Sequence, residues 1–307
     1  SHIRVGTFQF LAAMQQRDLL KQLADYTIER HYPDLIQDAS PYLAFLQQVM
    51  HRQASLVASW QLIGFVHGVM NTDNVAISGE TIDYGPCAFM EMYHPETVFS
   101  SIDMHGRYAY GNQPHICHWN LVRFAEALLP LLHENEAEAI SMATEVMEAY
   151  PAIAQQYWLA GMCRKLGLED SASGDAELIQ ELLDWMADHQ ADFTNTFRDL
   201  SQGDAFDPAK LQSVTFQTWY QRWQQRLKVN RRSLHDTYAV MRSVNPSIIP
   251  RNERVEQALV AAQVGDTAPL EELVAALQQP FSDAAKYNTY RQPSSYTAGQ
   301  YRTFCGT

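Results

Sequence analysis

The sequence predicts an α+β fold that is mostly helical. Three observations carry this. Apolar residues recur at steps of three and four along most of the chain. One short stretch, VAISGETID, has strand character. Residues 94–115 (HPETVFSSIDMHGRYAYGNQPH) lack a sustained period, and they read as a loop.

The elements follow in order. Thr7 to about Arg30 has helical spacing, and Pro33 ends it. A second helix starts near Pro41, with Leu43, Leu46, Met50, Ala54 and Val57 on one face, and runs towards Phe65. Val75–Ile77 and Thr81–Asp83 flank Ser78-Gly79-Glu80, which predicts a β-hairpin. Leu121, Ala125, Leu128 and Leu132 mark a strong helix after the loop. Beyond residue 134, segments 135–150, 151–167, 175–199, 215–243 and 253–278 each suit a helix, punctuated by Pro151, Gly203, Pro246 and Pro250. From Pro280 the chain is polar but has Tyr287, Tyr290, Tyr296, Tyr301 and Phe304 spread through it. Free tails are poor in aromatics, so it is expected to pack on the body. The predicted divisions are 1–133, a helical extension at 134–279 and a tail at 280–307.

Composition narrows the function classes. The 307 residues are 46% hydrophobic, enough for a sizeable core. A net charge of −13 opposes phosphate backbones, so no nucleic-acid partner is expected. No run of about 18 apolar residues occurs, so no membrane partner is expected. No signal peptide is evident, and the opening SHIRVGTFQF reads as the interior of a longer protein. The four cysteines, Cys87, Cys117, Cys163 and Cys305, are scattered without CxxC spacing, which suits free thiols in a reducing, cytoplasmic compartment. His115 and His118 are the nearest approach to zinc spacing and read more simply as polar positions at a helix start.

The chemistry concentrates in HGVMNTDN, residues 67–74, and in the IDYG that contains Asp83. In aminoglycoside-kinase-like enzymes the frame is HGDxxxxN, a hairpin, then IDxx. That geometry brings an Asn carboxamide and an Asp carboxylate to one point, where hard divalent cations and nucleotide phosphates meet. His67, Gly68, Asn74 and Asp83 fit this frame. Val69 does not, because it stands where that class needs a catalytic Asp and cannot accept a proton. Asp73, beside the metal-type Asn, is the nearest carboxylate able to replace it. Taken alone, Asp73 and Asn74 also read as turn residues and Asp83 as a loop cap.

SHIRVGTF, HGVMNTDN, TIDYGPCAF, GRYAYGNQP with WNL, NPSIIPRN and the terminal TFCGT together resemble the selenoprotein O family. The match runs from Ser1 to Thr307 and thins through 135–230. The resemblance implies a protein-kinase-like fold, here its C-lobe with a helical extension, in which the usual catalytic Asp is absent. It implies transfer of AMP from ATP to Ser, Thr or Tyr hydroxyls of proteins, with UMP transfer also attributed to bacterial members. Asp73 would then accept the proton, Asn74 and Asp83 would hold Mg²⁺ or Mn²⁺, and Arg4 and Asp83 would contact the nucleotide. Without the resemblance Arg4 reads as a solvated surface residue. The family's amino-terminal lobe, with its glycine loop and phosphate Lys, finds no counterpart here, so this chain alone is expected to be nearly inactive. The family also implies redox control through cysteines, with Cys87 and Cys305 as counterparts. The alternative is a buried Cys87 and an inert Cys305. Two other functions remain open at this stage: a small-molecule kinase of the aminoglycoside type, and a non-catalytic helical interaction module.

Overall fold

The computed structural model describes every residue except 170–171, 207, 209–212, 298 and 305–307. It is mostly helical: α1 (Val5–Ala13), α2 (Arg17–His31), α3 (Pro41–Leu62), α4 (Gln113–Leu132), α5 (Glu136–Lys165), α6 (Asp175–Asp188), α7 (Phe193–Leu200), α8 (Val214–Leu227), α9 (Leu234–Val244), α10 (Asn252–Gln263), α11 (Ala268–Leu277) and α12 (Asn288–Arg291). Two short strands, β1 (Phe65–Val66) and β2 (Ala88–Phe89), pair antiparallel, with Phe65 opposite Phe89 and Val66 opposite Ala88.

Two large clusters form the core. The first packs α1 on α4 and α3 against α4 and α5. At its centre the Phe124 ring meets those of Phe8 and Phe45 edge to face, with Phe8 and Phe124 centroids 5.1 Å apart. All three are fully buried, and each contributes roughly 1.5–3 kcal/mol of apolar burial. The second cluster gathers the end of α5 with α6, α7, α8 and α9 around Trp219 and Trp223.

Several predicted helix boundaries differ from the observed ones. The helix predicted from Thr7 to Arg30 is two helices, because Gln15 adopts φ +54 and the N–H of Gln16 closes back on Leu11 O. Segment 175–199 breaks at Gln190 (φ +51), and Asp192 then caps α7 by accepting from Asn195 N at 2.7 Å. In both places a non-glycine residue takes the left-handed turn, so no glycine announces it. Segment 215–243 parts before Ser233, which caps α9, and 253–278 parts at Gly265 (φ +89). Conversely, 135–150 and 151–167 form one helix, α5, running through Pro151. An internal proline costs about 3 kcal/mol. Burial along both halves of α5, including Tyr150 and Met162, offsets it.

The predicted β-hairpin is not formed. Residues 77–79 do turn, with Gly79 at φ +78, but the extended residues before the turn pair elsewhere. Ala76 bridges Arg4, while Val5 N donates to Val75 O and Ile77 N to Ile3 O. Residues 81–83 join no strand. The exposed edge offered by the chain start supplies a partner that local sequence does not reveal.

One buried cation stands out. Lys165 is 2% exposed, and its ammonium lies 4.2 Å from the Phe197 ring centroid and 5.3 Å from that of Phe193. Burial pushes its pKa down to about 7. Between pH 7 and 10 the unfolded chain therefore holds a proton that the folded one has released, and stability rises with pH across that window. The Lys165→Met variant is expected to abolish this rise and to gain up to roughly 4 kcal/mol at neutral pH, less the lost cation–π contact. Denaturant melts at pH 6, 7.5 and 9 check it.

Candidate active site

The loop from His67 to Asn74 is held from three sides. Gln113, at the start of α4 and fully buried, accepts from His67 N and donates to Phe65 O, each at 3.0 Å. Asn120, also on α4, donates to Met70 O at 2.9 Å. Gln53 of α3 donates to Ala76 O at 2.6 Å. These three amides fix backbone groups that no strand or helix satisfies.

His67 is buried and joins the loop to the segment carrying Asp83. Its Nε2 lies 2.8 Å from Ile82 O and its Nδ1 3.4 Å from Val69 N. One ring nitrogen donates and the other accepts, as a neutral imidazole does. Burial lowers its pKa in keeping with that. Gly68 sits at φ +90, and a Cβ there would stand 2.6 Å from Pro86 O. Only glycine allows the loop to lie so close to the backbone after Asp83.

Asn71 then opens a single 3₁₀ turn, Thr72–Asn74, accepting from Asp73 N at 3.0 Å. This turn points Asn74 at Asp83. The Asn74 Nδ2 donates to Val69 O at 3.0 Å and to Asp83 Oδ2 at 2.7 Å. With its nitrogen so engaged, the oxygen of Asn74 is the atom left for a ligand. Asp83 itself stands at φ +57, a conformation that Asp tolerates better than most residues. Val69 contributes its carbonyl to the loop, and its half-buried side chain offers no acid or base.

Asp73 is exposed. Its carboxylate lies over the first turn of α1, where a Cβ built on Gly6 would overlap Asp73 Oδ1. Arg4 stands just before α1 and is carried to this loop by its bridge to Ala76. It is half-buried, and its Nε has no hydrogen-bond partner among the described residues. Asn74 and Asp83 are thus in direct contact, and Arg4 and Asp73 lie on segments that touch the same turn.

The donor set suits a hard divalent cation only in part. Asn74 and Asp83 supply two oxygens, and no cluster of three His, Cys, Asp or Glu able to hold a metal occurs among the described residues. Mg²⁺ is bound in this way, through one or two protein oxygens with phosphates and water completing the shell. His118 instead hydrogen-bonds Met147 O at 3.0 Å and stacks on Tyr150.

Buried charged groups brace the end of β2. Arg251 is 1% exposed and donates to Asp192 at 2.5 and 3.2 Å and to Glu91 at 3.3 Å. Glu91 also accepts from Asn252 N and from the Ser294 hydroxyl, and Asn252 Nδ2 donates to Phe89 O at 3.2 Å. The tail reaches the same region. Thr303 Oγ1 donates to Pro86 O at 2.7 Å and Thr303 O accepts from Ser101 N. Cys87 is half-buried and burial raises its thiol to about 11, so it is a thiol rather than a thiolate at neutral pH. Cys305 lies outside the described residues.

Sequence reading missed Gln113, Asn120, Gly6, Glu91 and Arg251 as supports. Apart from Glu91 they sit in the strings GNQP, WNL, SHIRVGTF and NPSIIPRN, which marked them without giving a role. Two cavities, of about 560 and 450 Å³, include none of Arg4, Asp73, Asn74 and Asp83. The candidate site is open at the surface.

The Asn74 carboxamide and the Asp83 carboxylate thus meet at one point, with the exposed Asp73 on the same turn. Residues 1–278 match the family described as protein adenylyltransferase SelO. The whole chain is 51% identical to proteins named protein nucleotidyltransferase YdiU from Nitrosococcus oceani and Bacillus cereus, and 52% identical to that of Geobacillus kaustophilus. It spans 62%, 63% and 64% of their respective lengths. The chain belongs to the SelO family of protein adenylyltransferases.

Proposed function

We propose that this chain carries the metal-holding and acceptor-activating part of a bacterial, cytoplasmic protein adenylyltransferase. In this reading residues 1–133 are a protein-kinase-like C-lobe, 134–279 its helical extension and 280–307 a tail. The reaction transfers AMP from ATP to a Ser, Thr or Tyr hydroxyl of a protein. The hydroxyl oxygen bonds to the α-phosphorus, the bond from that phosphorus to the bridging oxygen breaks, and pyrophosphate leaves. Asp73 takes the hydroxyl proton. Asn74 and Asp83 hold Mg²⁺ or Mn²⁺, which when bound supplies positive charge to the phosphates. Arg4 offers its planar donor fork to phosphate oxygens. The observation that carries the reading is the 2.7 Å contact of Asn74 with Asp83, kept although Val69 removes the usual kinase base. A phosphoryl-type transfer depends on positioning and electrostatics more than on a strong base.

The test uses a chain of the relatives' full length and ATP labelled at either the α or the γ phosphate. Label from α is expected to remain on protein. Label kept from γ alone overturns the reading and revives a kinase. Because the relatives are named only nucleotidyltransferases, labelled UTP belongs in the same assay.

Gly6 gives a more local check. The Gly6→Ala variant would push the Asp73 carboxylate off the first turn of α1. Transfer is expected to fall about a hundredfold, the order seen when a reacting group is displaced by about an ångström. Its melting temperature should stay close to the parent's, since Ala favours a helix. Unchanged transfer would separate Asp73 from the reaction.

A further inference from the structure

The larger cavity, about 560 Å³, lies between α3, α4, α5 and α6. That is the size of a small-molecule site, and nothing in the transfer reaction uses it. Two of its lining residues, mostly buried themselves, carry polar groups that bond to no described residue. Gln61 is 9% exposed, and its carboxamide bonds to no described residue, although its backbone oxygen accepts from the Tyr110 hydroxyl at 2.6 Å. Tyr93 is 7% exposed and its hydroxyl is likewise unbonded among the described residues. An unpaired amide and an unpaired hydroxyl facing a cavity can both accept from a ligand's N–H donors.

The charge of the lining narrows the ligand. No Lys or Arg lines the cavity, and Asp184 is its one carboxylate. Gln180 donates to Asp184 Oδ1 at 2.7 Å, which leaves Oδ2 for another donor. Burial first, and Asp184 second, raise Tyr93 to about 12, so the hydroxyl stays neutral and senses that carboxylate. Two imidazoles also line the cavity: His115 is exposed, and burial lowers the pKa of the half-buried His118. The rings of Tyr93, Tyr110 and Trp158 complete the walls. Acceptor oxygens, one carboxylate and aromatic faces favour a cation with an apolar body, and the chain's net charge of −13 acts in the same direction.

We propose that this cavity binds a small organic ammonium compound, its charged end on Asp184, Gln61 Oε1 and the Tyr93 hydroxyl, and its body against Tyr110 and Trp158. The site is separate from the transfer chemistry, so it stands or falls independently of that reading.

The test titrates the 307-residue chain with three molecules of one shape: phenethylammonium, 2-phenylethanol and 3-phenylpropionate. Calorimetry gives affinities, and the Trp158 indole N–H signal in ¹H–¹⁵N spectra gives location. The ammonium is expected to bind about tenfold tighter than the alcohol, with the carboxylate weaker still. Asp184→Asn, on the exposed rim, should bring the ammonium to the level of the alcohol and leave the alcohol unchanged. Gln61→Leu should weaken the ammonium too. Equal binding of all three, an Asp184→Asn variant that keeps its preference, or no binding by about 10 mM would each overturn the proposal. The last result would assign the cavity to water alone.

Discussion

Asp83→Ala, in a chain of the relatives' full length, is expected to lower nucleotidyl transfer by about a thousandfold or more. Losing a cation's stabilisation of the reacting phosphates removes several kcal/mol, and each 1.4 kcal/mol is about tenfold in rate. Alanine introduces a second change, because Asp83 stands at φ +57, where a Cβ without a polar partner is strained. Asp83→Asn removes that ambiguity. It keeps the shape and tolerates the backbone, yet loses the charge. Both variants should fail alike, and added Mn²⁺ should restore little. If Asp83→Asn retains near-parental transfer, Asp83 serves only to orient Asn74, and the metal assignment is wrong.

Arg251→Met should cost about 3–5 kcal/mol of stability, the range for removing one partner of a buried ion pair. The carboxylates of Glu91 and Asp192 would remain inside without their cation. The penalty should depend on pH. Burial already raises the pKa of Asp192, with Arg251 acting against that. Removing Arg251 raises it further, so the folded variant takes up a proton more readily than the unfolded chain. A carboxylate raised in this way destabilises as pH rises through its folded pKa. The deficit relative to the parent should therefore be smaller near pH 5 than at pH 7.5. A deficit constant across that range would mean that Arg251 acts through packing of its stem alone.

These two residues mark what the sequence reveals and what it hides. The contact between Asn74 and Asp83 is legible because both partners lie within one loop-and-turn frame, so spacing alone encodes it. The supports of that frame are hidden for the opposite reason. Gln113 meets residues almost fifty positions earlier, and Arg251 meets Glu91 across 160. No local pattern distinguishes a buried Gln from a surface one. The same holds for secondary structure. Periodicity finds helices, since they satisfy themselves, whereas the partner of Val75–Ile77 comes from the chain start and not from residues 81–83, where a local hairpin would place it. Proline misled at residue 151 because tertiary packing outweighs a single missing hydrogen bond.

The smallest element of the fold has the widest reach. β1 and β2 have only two residues each, and their side chains divide between the two clusters: Phe65 belongs to the first, Val66 and Ala88 to the second. So short a ladder has no stability of its own. Its amides exchange with solvent only when one of the flanking clusters opens. The loop bearing Asp73 and Asn74 hangs directly from this ladder. Amide exchange at Val66 and Ala88 is thus a gauge of how often the two halves of the body part, and each such opening slackens the Asn74–Asp83 pair at the same moment.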